Sequence, residues 1–147
     1  MACELAPDAV TSPSPPRRRR TANQDVVLDA LRDGDTFRSA QQLYLDIRQH
    51  AHRRIALTSV YRILHALTVE HVAETQRAEN GETLYRLRSD ADHHHYLLCR
   101  VCGTAVAFTP TALEEHANAL IHQHHYTDVT HRIDLYGTCP RCTAPPT

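Results

Sequence analysis

The apolar positions of the first half recur at helical spacing in three successive runs. In "TANQDVVLDALRDG", Val26, Val27, Ala30 and Leu31 fall on one face of a 3.6-residue period, and Gly34 marks a stop. "SAQQLYLDIRQHA" sets Leu43, Ile47 and Ala51 on one stripe behind Ser39, a residue suited to cap the first turn. In "LTSVYRILHALTVEHV", Val60, Ile63, Leu64 and Leu67 face inward, and Thr58 is the expected N-cap. Three short helices in a row predict a helix-turn-helix bundle. "VAETQRAENGETLYRL" follows as a hairpin around Asn80-Gly81, a pair that favours a type I′ turn. Helices followed by a two-stranded hairpin predict a winged helix over 17–87, with the polar "RSDAD" of 88–92 as a hinge.

The pattern changes beyond the hinge. "HHHYLLCR" and "TAVAFT" read as strands joined at Cys102-Gly103. "TPTALEEHANALIHQHH" reads as a helix, capped by Thr109 or Thr111 with Pro110 in its first turn. "TDVTHRIDLYGTC" alternates, with Val129, His131, Ile133 and Leu135 on one strand face. The fold class expected is therefore α+β: a winged helix-turn-helix followed by a small α/β unit over 93–147. A unit of that size is too small to be secure alone and calls for a metal or a partner.

Composition sharpens this. There are two Phe and no Trp, so any core rests on Leu, Val, Ile and Ala. Residues 1–16 hold four prolines, at 7, 13, 15 and 16, and predict a disordered arm in which Cys3 is an unimportant free thiol. The net charge is −1, yet between Arg17 and Arg62 ten Arg face five Asp. Such a segment, led by Arg17, Arg18, Arg19 and Arg20, suits phosphate contacts, although a solvated face has the same composition. No apolar run reaches the ~20 residues of a membrane span. The N-terminus is too poor in apolar residues for a secretory signal, so a cytoplasmic protein is expected. In a reducing compartment paired cysteines favour metal over disulfide.

Two such pairs are present, Cys99-x-x-Cys102 and Cys139-x-x-Cys142, separated by 36 residues. Each turn sets two sulfurs on one side, and two turns complete a tetrahedral zinc site with no open position, which is structural rather than catalytic. On a strand, His93 and His95 share a face, and two imidazoles so spaced can converge on one metal. His131 and Glu114 are candidates to complete that second set; His131 is equally readable as a core histidine. His116, His122, His124 and His125 lack such patterning and are expected at the surface. A zinc enzyme using His93, His95 and His131 is a weaker alternative, since no HExxH motif is present and the arginine-rich half would be unexplained.

"FRSAQQLY", "LTSVYRILHAL", "NGETLYRL", "HHHYLLCRVCG" and "YGTCPRC" together resemble the ferric uptake regulator (Fur) family of metalloregulators, most of all its zinc-sensing (Zur) branch, over Arg17 to Cys142. The resemblance implies an N-terminal winged helix, a hinge and a zinc-stabilised C-terminal dimerisation domain. It implies a homodimer that binds a palindromic double-stranded DNA operator and represses metal-uptake genes when metal is replete. The helix carrying Thr58, Ser59, Tyr61 and Arg62 would then read DNA, Tyr61 at a base edge or thymine methyl and Arg62 at a phosphate or base. Cys99, Cys102, Cys139 and Cys142 would hold structural zinc, and His93, His95, Glu114 and His131 a second, regulatory ion. A third, hinge site of the zinc branch matches Glu74, Arg88, His94 and Tyr96 here. Only Glu74 and His94 remain good ligands, because a guanidinium stays protonated and cannot ligate. The expectation is a degenerate hinge site in which Arg88 pairs with Glu74 and mimics the metal's charge. Readings left open are structural zinc alone, or a sensor of iron, nickel or peroxide.

Overall fold

The computed structural model describes residues 20–51, 53–89 and 94–143. Its first half is built on α1 (Ala22–Arg32), β1 (Arg38–Ser39), α2 (Ala40–His50) and α3 (Leu57–Val69). Two of the helices start with reciprocal caps. The Thr21 hydroxyl accepts from the Gln24 N–H while the Gln24 side chain accepts from the Thr21 N–H, and Ser39 and Gln42 repeat the arrangement. Each cap is worth about 1 kcal/mol. Thr58 is not the cap of α3: the helix begins at Leu57 behind Ala56, two residues before the expected cap, and Ala56 has no side chain able to cap it. Val27, Leu28, Leu31, Leu43, Val60 and Leu64 are fully buried where the three helices meet.

The hairpin of β2 (Ala73–Arg77) and β3 (Thr83–Leu87) closes this half, but it is three-stranded. The two-residue β1 joins the free edge of β3, pairing Arg38 with Tyr85 and Ser39 with Leu84. The turn is not type I′ either, since φ is positive at Gly81 (88°) and not at Asn80. Gly81 N–H instead donates to the Ala78 carbonyl and Ala78 N–H to the Glu82 carbonyl, the pattern of a type I turn followed by a left-handed glycine.

The second half runs β4 (His95–Cys99), β5 (Ala105–Phe108), α4 (Thr111–His124), β6 (Asp134–Gly137) and α5 (Pro140–Thr143). Its sheet has the order β5-β4-β6, antiparallel on one side and parallel on the other, with α4 in the crossover. The N-cap of α4 is Pro110, without a side-chain cap, rather than Thr109 or Thr111. The last strand is half the length that alternation predicts. Its pairing with β4 begins only at Tyr96↔Asp134, so Val129, His131 and Ile133 precede the strand without a ladder partner, and His125 and Asp128, each with left-handed φ of 55°, set the turn before them. No helix among the described residues is long and apolar enough to cross a membrane.

The two faces of this sheet differ. One packs on the first half: Tyr96 and Leu98 join Phe37 and Leu84 in a small shared core. On the other, Leu97, Val106 and Leu135 form a direct cross-strand row, 44%, 59% and 46% exposed, and α4 buries no residue.

Hydrogen bonds extend the seam between the halves. Phe37 N–H donates to the Gly103 carbonyl at 3.0 Å, and the Tyr136 hydroxyl donates to the Arg77 carbonyl at 2.6 Å. Gln76 reaches Asp134, and Arg100 pairs with Glu79 at 2.9 Å. Gly103 has φ of 73°, and a Cβ there would lie 2.2 Å from the Phe37 carbonyl oxygen. Gly103→Ala is therefore expected to destabilise the protein by about 2 kcal/mol or more, read as a lower urea midpoint.

Candidate metal centres and nucleic-acid interface

Parallel pairing of β4 with β6, from Tyr96↔Asp134 to Cys99↔Gly137, brings the last turn of the chain beside the first CxxC. Cys99, Cys102, Cys139 and Cys142 converge there, with one ligand atom of each within 4.8 Å of all the others. The Cys102 and Cys139 sulfurs are 3.7 Å apart. Four thiolates around zinc at about 2.3 Å would have tetrahedral edges of about 3.8 Å, so the set fits that ion. Backbone N–H groups of Cys102, Cys139 and Val101 hold the Cys99 thiol down to about 6, already close to the ligating thiolate form. Cys142 is pushed up to about 12 by its contacts with Cys139 and Cys102 and by burial. Four thiols this close cannot all ionise unless a cation joins them.

A second set lies at the opposite end of β4. His95 is almost fully buried, Glu114 stands in the first turn of α4, and His131 arrives on the irregular chain before β6. His95 Nε2 and His131 Nε2 each lie 2.9 Å from the same Glu114 oxygen, and 3.3 Å from one another. Hydrogen bonds from His95 and then His131 lower the Glu114 pKa, keeping it the anion a cation needs. Two ring nitrogens facing each other and one carboxylate oxygen make a three-ligand set that fits zinc. His93, the fourth expected member, lies outside the described residues. His116, His122, His124 and His125 are exposed, as the lack of patterning implied.

The hinge positions are arranged differently from the expectation. Arg86, not Arg88, takes Glu74: its Nη2 and Nε donate to one carboxylate oxygen at 2.6 and 3.0 Å. The cause is register, since Glu74 and Arg86 are direct cross-strand partners of β2 and β3. Arg88 lies beyond the strand, its Nη1 3.3 Å from His71 Nδ1. Tyr96 donates to the Glu74 carboxylate at 3.2 Å and accepts from Arg86 at 3.0 Å. The His94 ring is 6.4 Å from that of Tyr96. Among the described residues, the groups able to hold a metal are the four cysteines and the His95, Glu114 and His131 set, and the hinge positions are not among them.

On α3, burial of Val60, Ile63, Leu64 and Leu67 leaves Thr58, Tyr61, Arg62 and His65 on one exposed stripe, with Ser59 half-buried. Tyr61 is 47% exposed and so is not a core aromatic. His65 is an addition to the candidates, and helical spacing from Tyr61 and Arg62 would have found it. Beside the entry to α3, a groove lined by Tyr44, Arg48, Ala51, Arg53, Arg54 and Ile55 concentrates three more arginines, one of which, Arg53, is held by Asn23 of α1 at 3.1 Å. The local arginine excess pointed to this segment without saying which residues would cluster. Arg20 is exposed; Arg17, Arg18 and Arg19 lie outside the described residues.

Residues 17–136 match the model of the ferric uptake regulator family. The chain belongs to that family. It is 35% identical over 124 residues to the zinc uptake regulation protein of Mycobacterium tuberculosis, covering 84% of this chain and 94% of that one. Two solved structures share the fold: a ferric uptake regulator from Francisella tularensis with iron (TM-score 0.71, 15% identity, covering 90% of this chain and 100% of that one) and a zinc uptake regulator complexed with zinc and DNA (TM-score 0.63, 22% identity, 84% and 83%). As a family member the chain is a DNA-binding, metal-responsive regulator and not an enzyme.

Cys142→Ser should lower bound zinc by one ion per chain in native mass spectrometry. Because the free energy of structural zinc binding, about 10 kcal/mol or more, is folding free energy, the melting temperature should fall by more than about 10 °C.

Proposed function

We propose that this protein is a zinc-responsive transcriptional repressor that binds a palindromic operator as a homodimer and controls metal-uptake genes. The observation that carries the reading is the convergence of His95, Glu114 and His131 beside a separate four-cysteine site, in a chain whose other half is a winged helix. A relative of 35% identity is a zinc uptake regulation protein, which favours zinc at both sites. Cys99, Cys102, Cys139 and Cys142 hold the structural ion, and a closed four-thiolate site leaves nothing exchangeable. His95, Glu114 and His131, with His93, hold the regulatory one; imidazole and carboxylate donors would also accept iron or nickel.

The open sheet face supports the dimer. An exposed row of Leu97, Val106 and Leu135, next to a helix that buries nothing, is the surface a second copy of the chain would cover. An isologous dimer carries two recognition helices related by a two-fold axis, hence a palindromic operator. Thr58, Ser59, Tyr61 and Arg62 then face the major groove, while Arg20, Arg48, Arg53 and Arg54, with Arg17, Arg18 and Arg19, neutralise phosphates.

The test is operator binding by fluorescence anisotropy across buffered free zinc, each point paired with a zinc-per-chain count. Affinity should rise at least about fivefold as zinc climbs from one to two ions per chain. His131→Ala should keep one ion and lose that rise. Flat affinity at constant structural zinc would leave structural zinc alone as the correct reading. Leu97→Glu should shift sedimentation from dimer toward monomer.

A further inference from the structure

The resemblance implies a metal at the hinge, and the residues there do not fit one. The Glu74 carboxylate already receives two hydrogen bonds from Arg86 and one from the Tyr96 hydroxyl. Arg88, in the position of a ligand, carries a guanidinium that cannot coordinate. What these residues form is a different device. Arg86 comes from the wing and is 8% exposed; Tyr96 comes from the central strand of the second half and is 5% exposed. The Arg86 guanidinium lies 4.5 Å from the Phe37 ring centroid and 5.0 Å from that of Tyr96, and the two rings meet edge-on at 5.2 Å. Phe37 is itself tied to Gly103 of the second half through its backbone N–H.

The geometry points to a protein-only latch: Glu74, Arg86 and Tyr96, stacked on Phe37, hold the two halves of this chain together without a hinge metal. The guanidinium supplies the positive charge beside Glu74, the Tyr96 hydroxyl carries the link across the seam, and the rings exclude water from both. Opening the seam would separate Tyr96 from Glu74 and Arg86 and expose the Phe37 and Tyr96 rings. Closure is therefore built into the sequence, and metal at His95, Glu114 and His131 adjusts an arrangement that is already closed. The latch concerns the shape of the chain and stands whether or not zinc is the ion sensed.

The test uses the full-length protein stripped of labile metal but retaining its four-cysteine zinc. Two variants loosen the latch while sparing its packing: Tyr96→Phe keeps the ring and removes the hydroxyl, and Glu74→Gln keeps an acceptor and removes the charge. Small-angle scattering and hydrogen exchange of β3 and β4 report closure without reference to DNA. Wild type should keep one radius of gyration with and without added zinc. Each variant, still holding its structural zinc, should expand and exchange faster when labile metal is removed. Operator affinity at one zinc per chain should fall at least about fivefold in the variants, widening their zinc dependence. Expansion of the stripped wild-type protein, or variants as compact as wild type, would overturn the latch. Absence of operator binding in every form would instead count against the repressor reading and leave the scattering result to decide this one.

Discussion

The second half of this chain has almost no core of its own, and its shape depends on four sulfur atoms. The large buried cluster belongs wholly to the three helices and the wing. Among the described residues beyond 93 the buried apolar contribution is Tyr96 and Leu98, with Cys99 at the end of the same strand. A three-stranded sheet with one face open and a helix that buries nothing cannot offset the conformational entropy of ordering its residues. The four cysteines join the end of β4 to the last turn of the chain, closing a long loop through one site. That closure fixes the β4–β6 register, and the register delivers His131 to His95 and Glu114. The four-cysteine cluster is thus upstream of the His95, Glu114 and His131 set in a physical sense.

The same knuckle also sets the seam. Gly103, immediately after the first CxxC, meets the backbone of Phe37 so closely that only glycine fits. Phe37 then packs on Tyr96 and under Arg86. A buried guanidinium is tolerable only because a carboxylate, a hydroxyl and two ring faces surround it. Such a cluster is weak as a source of net stability but strong as a specification, since any arrangement that separates its members strands a charge.

Much of this was legible in the sequence. Helical periodicity placed α1, α2 and α3, and the Ser39 cap was readable because a hydroxyl followed by Gln42 forms a local motif. The paired CxxC turns needed no tertiary information. Three features were not legible, each for a reason. A two-residue strand such as β1 has no pattern to detect. Alternation through Val129, His131 and Ile133 looked like strand because it is blind to whether a neighbouring strand is there to pair, and β4 pairs only from Asp134 onward. The partner of Glu74 depended on one residue of turn geometry. A two-residue turn at Asn80-Gly81 would set Leu87 opposite Glu74, whereas the observed turn sets Arg86 there. Neither register sets Arg88 opposite Glu74; that residue came from the match to the hinge ligands of the zinc branch, and the arginine the observed register brings to Glu74 is Arg86, two residues earlier on the same strand face.

These placements give the proposed regulatory ligands a physical path to the wing. His131 sits three residues before β6, at the end of exposed irregular chain whose position nothing else among the described contacts fixes so directly. Asp134 and Tyr136 of β6 touch Gln76 and Arg77 of the wing, and Ala73 at the start of that same β2 strand lies in the core packed under α3. On the proposed reading, an ion held by His95, Glu114 and His131 orders the approach to β6, and β6 presses on the wing beside the recognition helix. Coupling of this kind requires an element with two arrangements that both sites bias. The latch keeps the halves together in either state. On that same reading the element with two arrangements is the 125–133 segment with the wing contact behind it, and the regulatory motion it allows is a shift of wing and helix rather than an opening of the chain.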